Sequence, residues 1–248
     1  MAEHILGRDV PTTLEEVLGL GRTAVLVVDV QNDFCAVGGR AARRGTDLTA
    51  IVEALPRMSE LLDAARTAGV PVIYVQNTTR PDGRLCGTAD LARRARAWGS
   101  AEPLVTLEGT WGQAVVDALA PRPSDVIVRK YRQSAFIGTN LEMILRANNW
   151  KTAVVIGVET HACVEATARD AMGRDFAVVL VHDCMASARR ELHEASLAVM
   201  RALLPGDWVT DLAAVRACLA AAVDGSRALS HGDHSMAPAE AGGRGGGE

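Results

Sequence analysis

The chain is predicted to fold as a three-layer α-β-α sandwich, an α/β protein built on a mostly parallel, doubly wound sheet of Rossmann-like form. Three observations lead there. Its short strand-like runs are apolar throughout rather than alternating, which means burial on both faces. Segments with apolar residues at helical spacing separate these runs, so strand and helix alternate along the chain. No linker-like stretch interrupts residues 1–223, and 48% hydrophobic against 23% charged residues suffices for one continuous core.

The elements follow in order. Ala24 to Val28 is the first strand. Asp47 to Ala68 is a helix with Leu48, Ile51, Val52, Leu55, Leu61, Leu62 and Ala65 on its apolar stripe, and Val70 to Val75 is the second strand. The pattern repeats with the strand Val126 to Val128, the helix Thr139 to Asn148, the strand Ala153 to Ile156, the helix Cys163 to Met172 and the strand Ala177 to Val181. A helix near Ala188 to Leu203, a short strand Trp208 to Thr210 and a helix Leu212 to Val223 complete it. The region Thr78 to Pro121 fits least well. It is read as a flap, with Arg93, Arg94 and Arg96 on an exposed helix. From Asp224 to Glu248 the composition of Gly, Ser, Ala and His cannot bury enough apolar surface to offset its ordering entropy, so a flexible tail is expected.

Charge and cysteine content narrow the function. A net charge of -4 leaves no basic footprint for nucleic acid. No apolar run approaches the roughly 20 residues of a membrane span, and Met1 to Leu20 lacks a leader pattern, so a cytoplasmic protein is expected. The five cysteines are odd in number and widely spaced without a Cys-x-x-Cys pair, which argues against a disulfide framework or a zinc knuckle.

In a doubly wound sheet the ligand crevice lies at the carboxyl ends of the strands, where strand order reverses. Asp29, Asn77 and Lys130 each closely follow a strand, and Cys163 lies seven residues beyond Ile156. A thiol attacking a carbonyl needs a base, a cation to steady the thiolate and amide donors for the oxyanion. Asp29, Lys130, Cys163 and the backbone amides of Ala162 and Cys163 can supply them. The helix start at Cys163 is expected to lower its thiol pKa. Taken singly, each residue has an ordinary reading too. A buried cysteine is usually an inert hydrophobe, a strand-end aspartate a turn former, and a lone lysine solvated surface.

Three segments bring these residues together: Val27-Val28-Asp29-Val30-Gln31-Asn32-Asp33-Phe34, Lys130-Tyr131-Arg132-Gln133-Ser134-Ala135-Phe136, and Gly157-Val158-Glu159-Thr160-His161-Ala162-Cys163-Val164-Glu165. Over about Thr23 to Leu219 the chain resembles the isochorismatase-like cysteine hydrolases, whose signature stretches these segments match. The resemblance implies a catalytic triad of Asp29, Lys130 and Cys163, and a cis peptide between Val158 and Glu159 that helps shape an oxyanion hole with Glu159, Ala162 and Cys163. It also implies amide chemistry, because the family's vinyl-ether-cleaving members replace the cysteine. The family's nicotinamidase branch carries an Asp-x-His metal pair after the second strand. This chain has Gln76-Asn77-Thr78 there and no histidine between His4 and His161, so neither a metal nor any other cofactor is expected.

The Gln76-Asn77 pair and the Glu108-Gly109-Thr110-Trp111 segment look most like the branch that hydrolyses ureido and carbamoyl compounds. Substrate-lining candidates are Gln31, Phe34, Asn77, Trp111, Tyr131, Phe136 and His161, with core packing the competing reading for the aromatic ones. Two rivals stay open: hydrolysis of a cyclic amide, as in a streptothricin-type lactam, by the same triad, and a catalytically silent binding domain. By resemblance the chain is expected to form a homodimer or homotetramer. The stripe Leu192, Ala195, Leu197, Val199 is a candidate interface that core burial explains equally well.

Overall fold

The computed structural model describes residues 2–19 and 21–232. Six strands form one sheet: β3 (Thr23–Val28), β4 (Val72–Asn77), β5 (Val126–Lys130), β6 (Thr152–Val158), β7 (Ala177–Ala186) and β8 (Val209–Thr210). They are ordered β5-β4-β3-β6-β7-β8, and every adjacent pair is parallel. An N-terminal antiparallel hairpin of β1 (Glu3–Ile5) and β2 (Arg8–Val10) precedes the sheet. Its residues are nearly all exposed and carry no apolar run, so no strand signal marks it in the sequence.

The all-apolar reading of the central strands holds, since every residue of β3 and β6 is buried. The helices are α1 (Leu14–Val17), α2 (Asn32–Cys35), α3 (Arg40–Arg43), α4 (Thr49–Thr67), α5 (Thr88–Trp98), α6 (Leu141–Ala147), α7 (Glu165–Met172), α8 (Arg190–Leu203) and α9 (Leu212–Gly232). With the right-handed crossovers that parallel strands require, this strand order puts α4 and α7 on opposite faces, and α9 packs against α4. Asp47 lies two residues before α4, its Oδ1 accepting the Thr49 N–H at 2.9 Å, and Ile51, Ala54, Met58, Leu61, Leu62 and Ala65 form the buried face. Among the described residues no helix is long and apolar enough to cross a membrane.

Three sequence readings shift. β7 runs on from Val181 to Ala186, because parallel pairing with β6 resumes beyond a bulge, Gly157 opposite Met185 and Val158 opposite Ala186, although His182 and Asp183 interrupt the apolar run. The last helix passes Val223 and continues to Gly232, the last described residue. Good helix formers such as Arg227, Ala228 and Leu229 let it propagate into the segment expected to be a flexible tail, while residues 233–248 lie outside the described ones. The stripe on α8 divides, with Leu197 buried in the core, Val199 exposed and Leu192 facing a cavity at the strand ends.

The chain runs β3-β4-β5 outward, then returns to β6 beside β3, so strand order reverses between β3 and β6. The two strands approach closely there. Gly157 has φ of +120°, and a Cβ on it would run into the carbonyl of Val28. Gly157→Ala is therefore expected to destabilise the fold by about 3 kcal/mol, combining backbone strain with an overpacked contact. An unchanged urea midpoint would refute this.

Candidate active site

Three charged or polar side chains meet across the reversal point. Asp29 directly follows β3 in a left-handed conformation, φ +55°, which is uncommon outside glycine. It is buried, and its Oδ1 accepts the Asn77 N–H at 2.9 Å. Lys130 ends the edge strand β5 and is fully buried, an arrangement tolerated only with partners for every donor. It has three: Asp29 Oδ2 at 2.7 Å, the Arg132 carbonyl at 3.0 Å and Cys163 Sγ at 3.2 Å. The ammonium thus lies in contact with both the carboxylate and the sulfur.

Cys163 is carried by a single wide turn of π-helix, Thr160–Val164, placed between β6 and α7. The α-helix begins only at Glu165, because the Ala162 and Val164 N–H groups both turn back to the Glu159 carbonyl, at 3.0 and 3.3 Å. The Val158–Glu159 peptide is cis. Thr167 anchors the turn, its Oγ1 donating to the Cys163 carbonyl at 2.7 Å and accepting the Ala135 N–H at 3.0 Å.

Electrostatics correct the reading of a thiol made acidic by its helix start. Burial and the neighbouring Asp29 charge push the Cys163 thiol up to about 12, outweighing the opposing pull of Lys130. Burial likewise raises the Asp29 carboxyl, against the effect of Lys130. Burial alone would lower Lys130, but the charge of Asp29 beside it holds the ammonium above its ordinary value. Burial thus disfavours charge on the sulfur and on Asp29, while the Asp29 contact sustains the Lys130 ammonium.

Asp29 and Cys163 open onto a cavity of about 580 Å³. Asp29, Phe34, Asn77, Glu159, His161, Ala162 and Cys163 line it, as do Arg93, Arg94, Arg96, Trp98, Arg132, Gln133, Arg189 and Leu192. Of the substrate-lining candidates, Phe34, Asn77 and His161 reach it. His161 is held by Ser187, Nδ1 to Oγ at 3.0 Å. Gln31 lies beneath the site, fully buried, donating to the Asn77 and Gln113 carbonyls at 2.9 and 2.7 Å and accepting the Asn77 N–H at 2.8 Å. It braces the strand that presents Asn77. Trp111 is 55% exposed and sits over Gly38, outside the cavity lining. Tyr131 is half-buried and also outside it. Phe136 is buried against Phe176, ring centroids 5.9 Å apart, under the Arg174 guanidinium.

Of the three α5 arginines expected on an exposed helical face, Arg93 and Arg96 are exposed and Arg94 is not. Arg94 is 3% exposed and turned to the cavity, because Asp90, one turn earlier, neutralises it at 2.7 Å. The acid-to-arginine spacing of four was the available signal. Among the described residues no group of three or more His, Cys, Asp and Glu converges in a way that could hold a metal ion.

An Isochorismatase domain model matches residues 23–214, which spans the whole six-stranded sheet and includes Asp29, Lys130 and Cys163. The chain belongs to the isochorismatase family. Within it, the chain is 34% identical over 206 residues to a ureidoacrylate amidohydrolase of Methylobacterium radiotolerans, covering 79% of each chain. It is also 34% identical over 184 residues to the enzyme of that name from Agrobacterium fabrum, covering 71% of this chain and 79% of the other. Among solved structures, a cysteine hydrolase from Pseudomonas syringae pv. phaseolicola superposes with a TM-score of 0.69 at 31% identity, over 82% of this chain and 94% of that one. N-carbamoylsarcosine amidase from Thermoplasma acidophilum does so with a TM-score of 0.57 at 30% identity, over 72% and 92%. This family member thus shares its architecture with cysteine hydrolases and amidases.

Proposed function

We propose that this isochorismatase-family chain is an amidohydrolase that cleaves a non-peptide carbon–nitrogen bond of a small ureide, carbamoyl compound or carboxamide, through a covalent intermediate on Cys163. One observation carries the reading: the Lys130 ammonium touches both Asp29, at 2.7 Å, and the Cys163 sulfur, at 3.2 Å, at the edge of a substrate-sized cavity. Amide hydrolysis is also what the names of its relatives describe.

The chemistry follows from the charges. As the thiol attacks the carbonyl carbon, its proton passes to Asp29, and the negative charge leaves the carboxylate and appears on the carbonyl oxygen, so the net charge of the three residues and the substrate together is unchanged. A thiol raised to about 12 is then no obstacle, since proton loss and bond formation occur together. The oxyanion is received by the Cys163 N–H and by the Ala162 N–H, which shares its bond to the Glu159 carbonyl. Asp29 returns the proton to the departing nitrogen, the C–N bond breaks, and a thioester, or for a ureide a thiocarbamate, remains on sulfur. Water, deprotonated by Asp29, attacks that carbonyl, and the thiolate leaves and regains its proton.

The test is a screen for ammonium release from ureides, N-carbamoyl compounds, carboxamides and lactams, followed by intact-mass analysis of enzyme quenched during turnover. An acyl or carbamoyl adduct on the Cys163 peptide is expected. Turnover with no such adduct under rapid quench would sink the covalent route, and no turnover of any carbon–nitrogen substrate would favour the silent binding domain.

A further inference from the structure

The cavity onto which Asp29 and Cys163 open is lined by an excess of cations. Asp90 accepts hydrogen bonds from two arginines, Arg93 at 2.7 Å and Arg94 at 2.7 Å, so one carboxylate serves two guanidinium groups. Arg96 and Arg132 have no acidic partner among the described residues, and Arg132 donates only to the Tyr131 carbonyl, at 2.7 Å. Against these, Asp29 is matched by Lys130, and Glu159 is the remaining acid in the lining.

Arg94 is the one of these cations held in a fixed pose. Its side chain is 3% exposed, Nε is tied to Asp90, and Nη1 donates to Thr79 Oγ1 at 3.1 Å. Nη2 has no acceptor among the described residues. The helix behind it is fastened at its C-terminal end, where the Trp98 carbonyl accepts from Arg40 at 3.4 Å and from Arg44. A buried guanidinium with two nitrogens committed and the third free at a cavity wall is a preorganised anion receptor, because a planar fork loses little freedom on binding a carboxylate. Phe34 and Trp98, ring centroids 5.7 Å apart, supply the apolar wall of the same cavity.

We propose that Arg94, clamped by Asp90, is a specificity-determining residue that receives a carboxylate on the substrate, at the end remote from the bond Cys163 attacks, and so selects anionic amides over neutral ones. The substrate class rests on the proposed amide hydrolysis, while the anion preference of the cavity does not.

Two measurements separate these. The first compares 3-ureidopropionate with butylurea, a neutral chain of similar length, by ammonium release. Wild-type enzyme is expected to prefer the acid by at least about 10- to 100-fold in kcat/KM, because the analogue leaves a group built for a polar partner unpaired. Arg94→Met should lower kcat/KM for the acid at least about tenfold, chiefly through KM, and affect butylurea far less. Arg94→Lys, which keeps the charge but not the fork, should fall between. In Arg94→Met the carboxylate of Asp90 keeps Arg93, so no buried charge is orphaned. An equal loss on both substrates, or no preference in the wild type, would overturn the proposal.

The second measurement needs no turnover. Cys163 is alkylated with iodoacetate and with iodoacetamide, and the quotient of the two rates is compared between wild type and Arg94→Met. Lys130 and the thiol are common to both proteins, so the quotient isolates Arg94. It should fall about fivefold or more in the variant, and added salt should shrink the difference. A quotient that Arg94→Met leaves unchanged overturns the anion site even where ureides are hydrolysed. A quotient that falls where no ureide is hydrolysed supports the anion site and sinks the reaction instead.

Discussion

Replacing Cys163 with Ala is expected to lower amide turnover by about 10⁴-fold or more while leaving the fold in place. The magnitude follows from the proposed role, since removing a covalent nucleophile takes away the reaction path rather than one contact along it. The fold is expected to survive because the substitution leaves the Asp29–Lys130 ion pair untouched at 2.7 Å and the Thr167 anchor of the turn bonds to the Cys163 backbone, not its sulfur. Cys163→Ser should be nearly as inactive, because a hydroxyl is harder to deprotonate than even this raised thiol. The check is kcat/KM by ammonium release alongside a thermal melt. Turnover by the Ala variant within tenfold of wild type would remove Cys163 from the mechanism.

Asp29→Asn should move two observables in opposite directions. Turnover is expected to fall by about 10²–10⁴-fold, the usual worth of a general acid and base. Cys163 alkylation by iodoacetamide near neutral pH should instead accelerate. The sign is set by the charges around the sulfur: the Asp29 carboxylate raises the thiol pKa, Lys130 lowers it, and the variant removes only the former. The buried ammonium then takes the thiolate as its counter-ion at 3.2 Å, which spares the protein an unpaired buried charge that would cost about 3–5 kcal/mol. In the wild type, with the thiol pushed up to about 12, alkylation should climb about tenfold per pH unit from 7 to 10 as the thiolate fraction grows. In Asp29→Asn the rise should begin at lower pH. A variant that loses turnover and alkylates no faster would mean that the carboxylate does not set the state of the sulfur.

The strands of the central sheet were legible because parallel strands covered on both faces must be apolar at every position, and β3 and β6 are. The continuation of β7 was not, because pairing across a bulge is a property of two strands, and His182 and Asp183 look like the end of one. Phe34, Asn77 and His161 were legible as cavity residues from their places after strands. Gln31, on the same strand end, turned inward instead, because three hydrogen bonds to the Asn77 and Gln113 backbones hold its amide beneath the site. Phe136 and Trp111 failed as lining candidates for the reason that makes aromatic residues poor markers of ligand sites: a large ring is equally satisfied by Phe176 or by the flat surface over Gly38.

By itself the sequence determined the alternation of elements, the family, and which three residues gather at the strand ends, because hydrophobic period and motif spacing are local. Only the tertiary structure decided the charge state of the sulfur and the character of the cavity. Burial and the distances from Lys130 to Asp29 and Cys163 turn a helix-start thiol expected to be acidic into one that gives up its proton only as it reacts. Asp90 turns an arginine expected as solvated surface into a buried cation at the cavity wall. Both effects depend on which charges come within a few ångströms after folding, and spacing along the chain does not carry that information.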